Sequence, residues 1–514
     1  MNQRKISRRT LLQVSAGASL SMLASSLPTA WSKGSGSDVK SAEFKNPLFG
    51  GDYPDSSILR VGEDFYITHS CDRYAPQLIV WHSRDLVNFS PVSVALDHTF
   101  GTVWAPDLVE HQGQYYIYIP MNGSLFVVHT KDPRSSWSAP VDLKTGGIDP
   151  GHVVGPDGTR YLYSAGANVV QLSADGLSTV GASKKVYDGW QFPSDWVTEG
   201  FWLESPKFTR RGQYYYMTSA EGGTAGPPTS HMAVVARSTS PLGPWENSPY
   251  NPLIHTYSAD EDWWSVGHGT LVSTPDDRWY IVYHGYRNGL ETLGRHTLME
   301  PVEWTPDDWP TAPLGARRGL PMPAPMGIAN SPMLALSDTF SGSKLKLTWR
   351  AWDESDMSRY QVARGSLQIT AKGASPGHSS PLTVSARDAS YVVQVTAAPQ
   401  PACGAALGLF YDPNNWLFME LKSGVLTVYS GKQSLATLPW AANSVHLKII
   451  NRQNVVEFLV SESGLDWQSM LSGYDVTGYQ NKFLHGFLSL RPALASSGLG
   501  VARFTEFIYS PLPA

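Results

Sequence analysis

Short runs of aromatic and aliphatic residues, broken by Gly, Asp and Gln, recur along residues 45–310. They lack the three-to-four spacing of amphipathic helices and read as strands. Five share one composition: Asp64-Phe65-Tyr66-Ile67, Gln114-Tyr115-Tyr116-Ile117, Arg160-Tyr161-Leu162-Tyr163, Gln213-Tyr214-Tyr215-Tyr216 and Arg278-Trp279-Tyr280-Ile281. Most follow a turn signal such as Gln112-Gly113, Asp157-Gly158 or Arg211-Gly212, which ends one strand and starts the next. With Tyr66, Tyr116, Tyr161, Tyr215 and Tyr280 as markers, the intervals are 50, 45, 54 and 65 residues. Each marker is followed by another apolar run, for example Leu78 to Trp81 and Leu125 to His129. Repeats of about 40–50 residues made of several short strands predict β-propeller blades, here five.

The text changes near Pro306. Residues 311–332 are Pro-rich, with Pro321-Met322-Pro323-Ala324-Pro325 at their centre, and predict an extended linker lying along a surface. In 333–514, strands are expected at Leu345 to Trp352, Tyr391 to Thr396, Leu417 to Leu421, Val425 to Tyr429, Val445 to Ile450, Val455 to Val460 and Ala502 to Tyr509. Their number and spacing predict a β-sandwich. The expected fold is all-β, a five-bladed β-propeller followed by a jelly-roll sandwich, and two domains suit a chain of 514 residues.

The N-terminus does not belong to that pattern. Ser7-Arg8-Arg9-Thr10-Leu11-Leu12 precedes a mildly apolar, small-residue stretch from Val14 to Leu27, and Ala30-Trp31-Ser32 offers a cleavage site. Residues 1–32 are therefore expected to be a twin-arginine-type signal peptide, removed on export to the periplasm or beyond. The apolar run is too short to predict a lasting membrane span. Net charge is −5 from 39 basic and 44 acidic residues, without the basic stripe a nucleic-acid partner requires. Cys71 and Cys403 stand far apart in different predicted domains, so no disulfide framework is indicated. The 18 Trp and 24 Tyr serve core packing and also suit stacking on sugar faces.

Chemistry enters upstream of the markers. Asp55, Asp107, Asp149, Glu204 and His268 precede their tyrosines by 11, 9, 12, 11 and 12 residues. In a propeller the first strand of each blade lines the axial channel, so five ionisable side chains are expected to converge near one end of it. Carboxylates gathered in a channel repel and desolvate one another, and such sets mark functional sites. Glu199 lies 16 residues before its marker, outside the window.

The motifs themselves then resemble a known family. Gly51-Asp52-Tyr53-Pro54-Asp55 with Ile58-Leu59-Arg60, Trp104-Ala105-Pro106-Asp107-Leu108, Glu204-Ser205-Pro206-Lys207-Phe208, Gly267-His268-Gly269-Thr270 and Leu293-Gly294-Arg295 are similar, in order and spacing, to glycoside hydrolase family 43. Ser56 and Ser205 depart from the family's usual Pro and Gly. The resemblance implies an inverting exo-hydrolase that removes α-L-arabinofuranosyl or β-D-xylosyl units from arabinoxylan or arabinan oligosaccharides. An endo-arabinanase and a non-catalytic carbohydrate-binding propeller are the alternatives. Inversion needs one carboxylate to activate water and one carboxylic acid to protonate the leaving oxygen. The resemblance implies Asp55 as base, Glu204 as acid and Asp107 as the third carboxylate that orients Glu204. It implies Arg295 on substrate hydroxyls, with Trp104, Trp202, Trp264 and His268 around the substrate. No cofactor is required. His268 is also the residue expected to hold a structural Ca²⁺ on the axis; no second histidine is seen in register, which disfavours a transition metal. Phe410-Tyr411-Asp412-Pro413-Asn414-Asn415-Trp416 looks like the concanavalin-like jelly rolls appended to this family. That domain would bind polysaccharide, wall the site or stabilise the propeller.

Overall fold

The computed structural model describes residues 42–329 and 335–513. The proposed signal peptide, 1–32, lies outside the described residues. Among these residues no helix is long and apolar enough to cross a membrane.

Five antiparallel sheets follow one another along the chain. Blade 1 comprises Ser57–Val61, Asp64–Thr68, Gln77–Ser83 and Ser90–Leu96; blade 2 comprises Asp107–His111, Gln114–Met121, Ser124–Thr130 and Val141–Asp142. Blade 3 comprises Gly151–Val154, Arg160–Ser164, Asn168–Leu172 and Thr179–Lys185. Blade 4 comprises Glu204–Arg211, Tyr214–Glu221, Met232–Ser238 and Glu246–Asn247, with Ile254–His255 added to its third strand. Blade 5 comprises Trp263–Ser273, Trp279–Arg287, Arg295–Trp304 and Pro310–Thr311. The aromatic cores seen in the sequence are the second strands. They are buried on both faces because each blade packs against its neighbours, as the shared cores of blades 1 and 2 and of blades 4 and 5 show. The ring closes through the segment before blade 1. The Leu48 N–H donates to Thr297 O (2.8 Å), and Asn46 exchanges hydrogen bonds with the Met299 backbone, both 2.9 Å.

The second layer pair holds an eight-stranded and a seven-stranded sheet around one apolar core. Two of its strands, Cys403–Asp412 and Arg491–Gly498, lie in the middle of the larger sheet and were not expected from the sequence. The stretch expected to be a strand at Leu345 to Trp352 is paired only over Arg350–Trp352. The edge of the same sheet is Tyr74–Ala75, lent by blade 1. The Pro-rich stretch is likewise fastened down. Met322–Pro323 pairs with Glu43–Phe44, and Arg318 is buried with its guanidinium on Glu261 (2.8 Å) and His255 O (3.0 Å). Buried Asp52 accepts from Arg491 Nη2 (2.9 Å) and Ser489 Oγ (3.2 Å) of the sandwich. Thr292 and Asn454 are joined at 2.6 Å. Sandwich and propeller thus share a sheet edge and a buried polar seam.

Candidate active site

The inner strand of every blade carries left-handed backbone at or near its start, and in blade 5, Trp263–Ser273, both Ser265 (φ 47°) and His268 adopt it. Taken one per blade, they are Asp55, Ala105, Asp149, Ser205 and His268, with φ of 53, 35, 54, 54 and 56°. A non-glycine residue there carries strain that the surrounding structure must hold, and such positions concentrate at functional sites. Strand register shows that the positions correspond. Leu59, Val109, Val153 and Val272 pair with Tyr66, Tyr116, Tyr161 and Tyr280. Asp55, Ala105, Asp149 and His268 each stand four residues earlier. In blade 4 a register shift between Glu204 and Lys207 brings Glu204 to the turn beside Ser205.

These turns surround a pocket of about 130 Å³ lined by Asp55, Ala105, Asp149, Glu204, His268 and Arg295, among others. Trp104, Ile148, Thr224, His231, His284 and Phe487 complete its wall. The expected third carboxylate is therefore corrected. Asp107 is not in the pocket; Asp149 is. The register places Asp107 level with Ser57 and Gly151, two residues past the turn, which displaces it about 7 Å along the strand. Its carboxylate is spent on Lys207 Nζ (2.9 Å) and His152 N (2.7 Å).

Asp55 is buried and fully engaged. Oδ1 receives Arg295 Nη1 at 2.9 Å and Oδ2 receives Ser70 Oγ at 2.6 Å. His284 Nδ1 lies 3.1 Å from Oδ1 and 3.2 Å from the Asp55 N–H. Nδ1 accepts from the Asp55 N–H, and Nε2 lies 3.3 Å from Thr224 Oγ1; the tautomer sets the direction of that second contact. Burial alone would raise the Asp55 pKa, but Arg295, His268 and His284 hold it well below the usual carboxylate range. Glu204 is the opposite case. Burial, then the charges of Asp55 and Glu199, raise it to about 7 against the pull of Arg295. Burial and the charges of Glu204 and Asp55 also push Asp149 well upward. The pocket thus holds one carboxylate kept ionised and a coupled pair that retains a proton near neutrality.

The remaining expected residues divide. Arg295 and His268 line the pocket, as does Trp104, which is 41% exposed and held by Asp72 (3.2 Å). Trp202 is 53% exposed on the loop before Glu204, outside the lining residues. Trp264 borders a neighbouring cleft that shares Thr224 with the pocket. The Glu199 carboxylate accepts from Ala225 N (2.9 Å) and does not line the pocket. Sequence reasoning missed Phe487, which arrives from the sandwich and lies 5.2 Å under the Arg295 guanidinium. No local pattern marks it.

A second histidine is present after all. Asp55, His268 and His284 bring ligand-type atoms within 4.8 Å of one another. Calcium takes six to eight oxygens, and this set offers two imidazoles and a carboxylate. Asp55 Oδ1 is already held by a guanidinium and His284 Nδ1 by Asp55. Of this set only His268 Nε2 is a buried atom with no hydrogen-bond partner and is left to hold an ion.

The model of the glycosyl hydrolases family 43 matches residues 44–310. The chain belongs to glycosyl hydrolase family 43. Among curated family 43 relatives, a non-reducing end α-L-arabinofuranosidase of Bacteroides ovatus is 36% identical over 291 residues, covering 52% of this chain and 53% of that protein. A xylosidase/arabinosidase of Butyrivibrio fibrisolvens is 32% identical over 304 residues, covering 53% and 57%. The chain spans about half the length of these relatives. Among solved structures, a mutant of the family 43 protein BlXynB of Bacillus licheniformis superposes with a TM-score of 0.82 at 26% identity. That match covers 91% of this chain and all of the other, sandwich included. The five-bladed family 43 propeller and its sandwich are thus one recurring architecture.

Proposed function

We propose that the protein is an inverting exo-acting pentosidase that removes single α-L-arabinofuranosyl or β-D-xylosyl units from the ends of hemicellulose oligosaccharides. The observation that carries the reading is one small pocket shared by Asp55, Asp149 and Glu204, in which Arg295 and Ser70 hold Asp55 while no side chain donates to Glu204 among the described residues. Asp55, kept ionised by Arg295, is the base that takes a proton from the attacking water. Glu204, raised to about 7, is the acid that protonates the leaving oxygen. Asp149 is the third carboxylate, coupled to Glu204 so that the two hold a proton between them. Inversion leaves the water and the leaving group on opposite faces of the sugar, so acid and base work in one concerted displacement.

Size supports exo action. Drug-sized ligands need roughly 300–1,000 Å³, whereas about 130 Å³ admits a single sugar ring. Phe487, Ile148 and Trp104 wall the pocket where an endo-acting enzyme needs an open channel. The names of the relatives support both pentoses as substrates. Trp202 and Trp264, outside the pocket, suit the rest of an oligosaccharide. No metal enters the reaction, since Arg295 already balances Asp55. Arg8-Arg9 supports export by the twin-arginine route, which cell fractionation with and without the Arg pair tests.

Release of p-nitrophenol from the α-L-arabinofuranoside and the β-D-xyloside tests the activity. Turnover of at least one is expected. Binding of pentose oligosaccharides without turnover of either would instead make this a carbohydrate-binding propeller.

A further inference from the structure

Below the pocket lies a buried ion pair that the acid–base reading does not use. Lys207 is 3% exposed and Asp107 5%. All three protons of the Lys207 ammonium are committed: to Asp107 Oδ1 (2.9 Å), Pro106 O (2.9 Å) and Pro150 O (3.0 Å). Pro106 and Pro150 directly follow Ala105 and Asp149, the left-handed residues of blades 2 and 3. Lys207 itself stands three residues after Glu204 in blade 4. Asp107 closes the set by accepting from the His152 N–H of blade 3 at 2.7 Å. One ammonium therefore fixes the turns of two blades and the strand of a third.

On its far side, a separate cavity of about 240 Å³ is lined by Asp107, Lys207, His152, Arg60 and Arg210, among others. The pair stands between that cavity and the pocket. Stability alone is a poor reason for such a pair. A buried ion pair often contributes no more than apolar residues of the same shape. It does supply fixed direction and fixed charge. The charged groups that act on Asp149 and Glu204 are Asp55 of blade 1, Glu199 of the preceding loop, Arg295 of blade 5 and Lys207 beneath; His268 alongside is neutral. Each cation is paired with an aspartate, Arg295 with Asp55 and Lys207 with Asp107; Lys207 is the one that lowers Asp149 and Arg295 the one that lowers Glu204.

We propose that Lys207, oriented by Asp107, is the positioning residue of the site. It sets the Asp149 turn against Glu204 and supplies the positive charge that lets this pair carry one proton rather than two. The proposal rests on Glu204 and Asp149 acting as described above. Removal of the ammonium raises both protonation steps of the pair, so the descending limb of the rate profile moves to higher pH.

Lys207→Met leaves the buried Asp107 without its cation, with only the His152 N–H still donating to it, and is expected to lose stability. The double variant Asp107→Asn/Lys207→Met removes both charges and is the working probe. With the full-length chain and a pentose oligosaccharide that the wild type cleaves, the double variant is expected to keep its fold. Its kcat should fall about tenfold or more at little change in KM, and its descending limb should move up by about half a pH unit or more. A folded double variant whose limb stays in place overturns the proposal, whatever its melting temperature, because a purely structural pair would not move it. If the wild type cleaves no pentoside, the hydrolase reading fails instead. In that case ¹³C titration of labelled carboxyl groups, which needs no turnover, decides: unmoved midpoints for Asp149 and Glu204 would reject the role of Lys207.

Discussion

At the scale of single residues, the site works by separating the proton affinities of like groups. Asp55 has four polar neighbours that favour its anion, whereas no side chain donates a hydrogen bond to Glu204 among the described residues. Glu204→Gln cannot donate a proton, so kcat on oligosaccharides should fall about 10²–10⁴-fold. The loss should be smaller on p-nitrophenyl glycosides, whose leaving group needs little protonation; equal losses on both would contradict the role. The sign of the pH dependence follows from the raised value. Glu204 is protonated below about 7 and ionised above, so kcat should decline through that region. The same shift makes the folded state lose stability as pH rises from the unfolded value, about 4.3, through the folded one. Asp149→Asn removes a repelling charge, so the descending limb should move to lower pH, opposite to the Lys207 double variant. Asp55, Glu204 and Arg295 are legible in the sequence because each sits in a distinctive motif. Asp149 stands in the same phase series, but the Trp-Ala-Pro-Asp setting of Asp107 is more conspicuous and points to the wrong third carboxylate. A spacing window of 9 to 12 residues cannot separate positions two apart on one strand face, which point the same way at different depths.

At the scale of elements, the left-handed turn at the head of each inner strand is what spacing could not reveal. Ala105 occupies that turn in blade 2 and carries no chemistry, so only strand register exposes its equivalence to Asp55 and Asp149. The second strands were legible because aromatic runs buried on both faces stand out beside polar turns. Cys403–Asp412 and Arg491–Gly498 are equally buried, but they are rich in Gly, Ala and Ser and lack both alternation and β-branched residues. Gly294 shows how backbone sets the site. It has φ of 81°, and a Cβ there would collide with the Asp52 carboxylate. Gly294→Ala should cost about 1–3 kcal/mol and displace Arg295, the next residue. A lower melting temperature with raised KM is the expected result; unchanged values of both would show that the turn does not position Arg295.

At the scale of the molecule, the sandwich is part of the site's construction. It supplies Phe487, and its Arg491 holds Asp52, whose other oxygen receives the Arg295 N–H at 3.3 Å. Arg491→Met leaves Asp52 buried with its main partner gone. A loss of about 3–5 kcal/mol is expected in thermal or denaturant unfolding, together with weaker catalysis. Stability within about 0.5 kcal/mol of wild type would mean that the two layers are coupled elsewhere. Of the three roles open to this domain in the sequence, its contacts support walling the site through Phe487 and stabilising the propeller through the shared sheet edge and the Asp52–Arg491 pair. The sequence could not show the first, because Phe487 is separated from every propeller motif by more than 190 residues and reaches the pocket only through tertiary packing. Asp55 and Glu204 acting together on one sugar ring is the central claim, and its stereochemical consequence is directly observable. Proton NMR of the first sugar released from an aryl α-L-arabinofuranoside or β-D-xyloside should show the anomeric configuration opposite to that of the substrate, before mutarotation. Retained configuration would contradict the account, because it requires a covalent intermediate on a carboxylate rather than a water activated by Asp55.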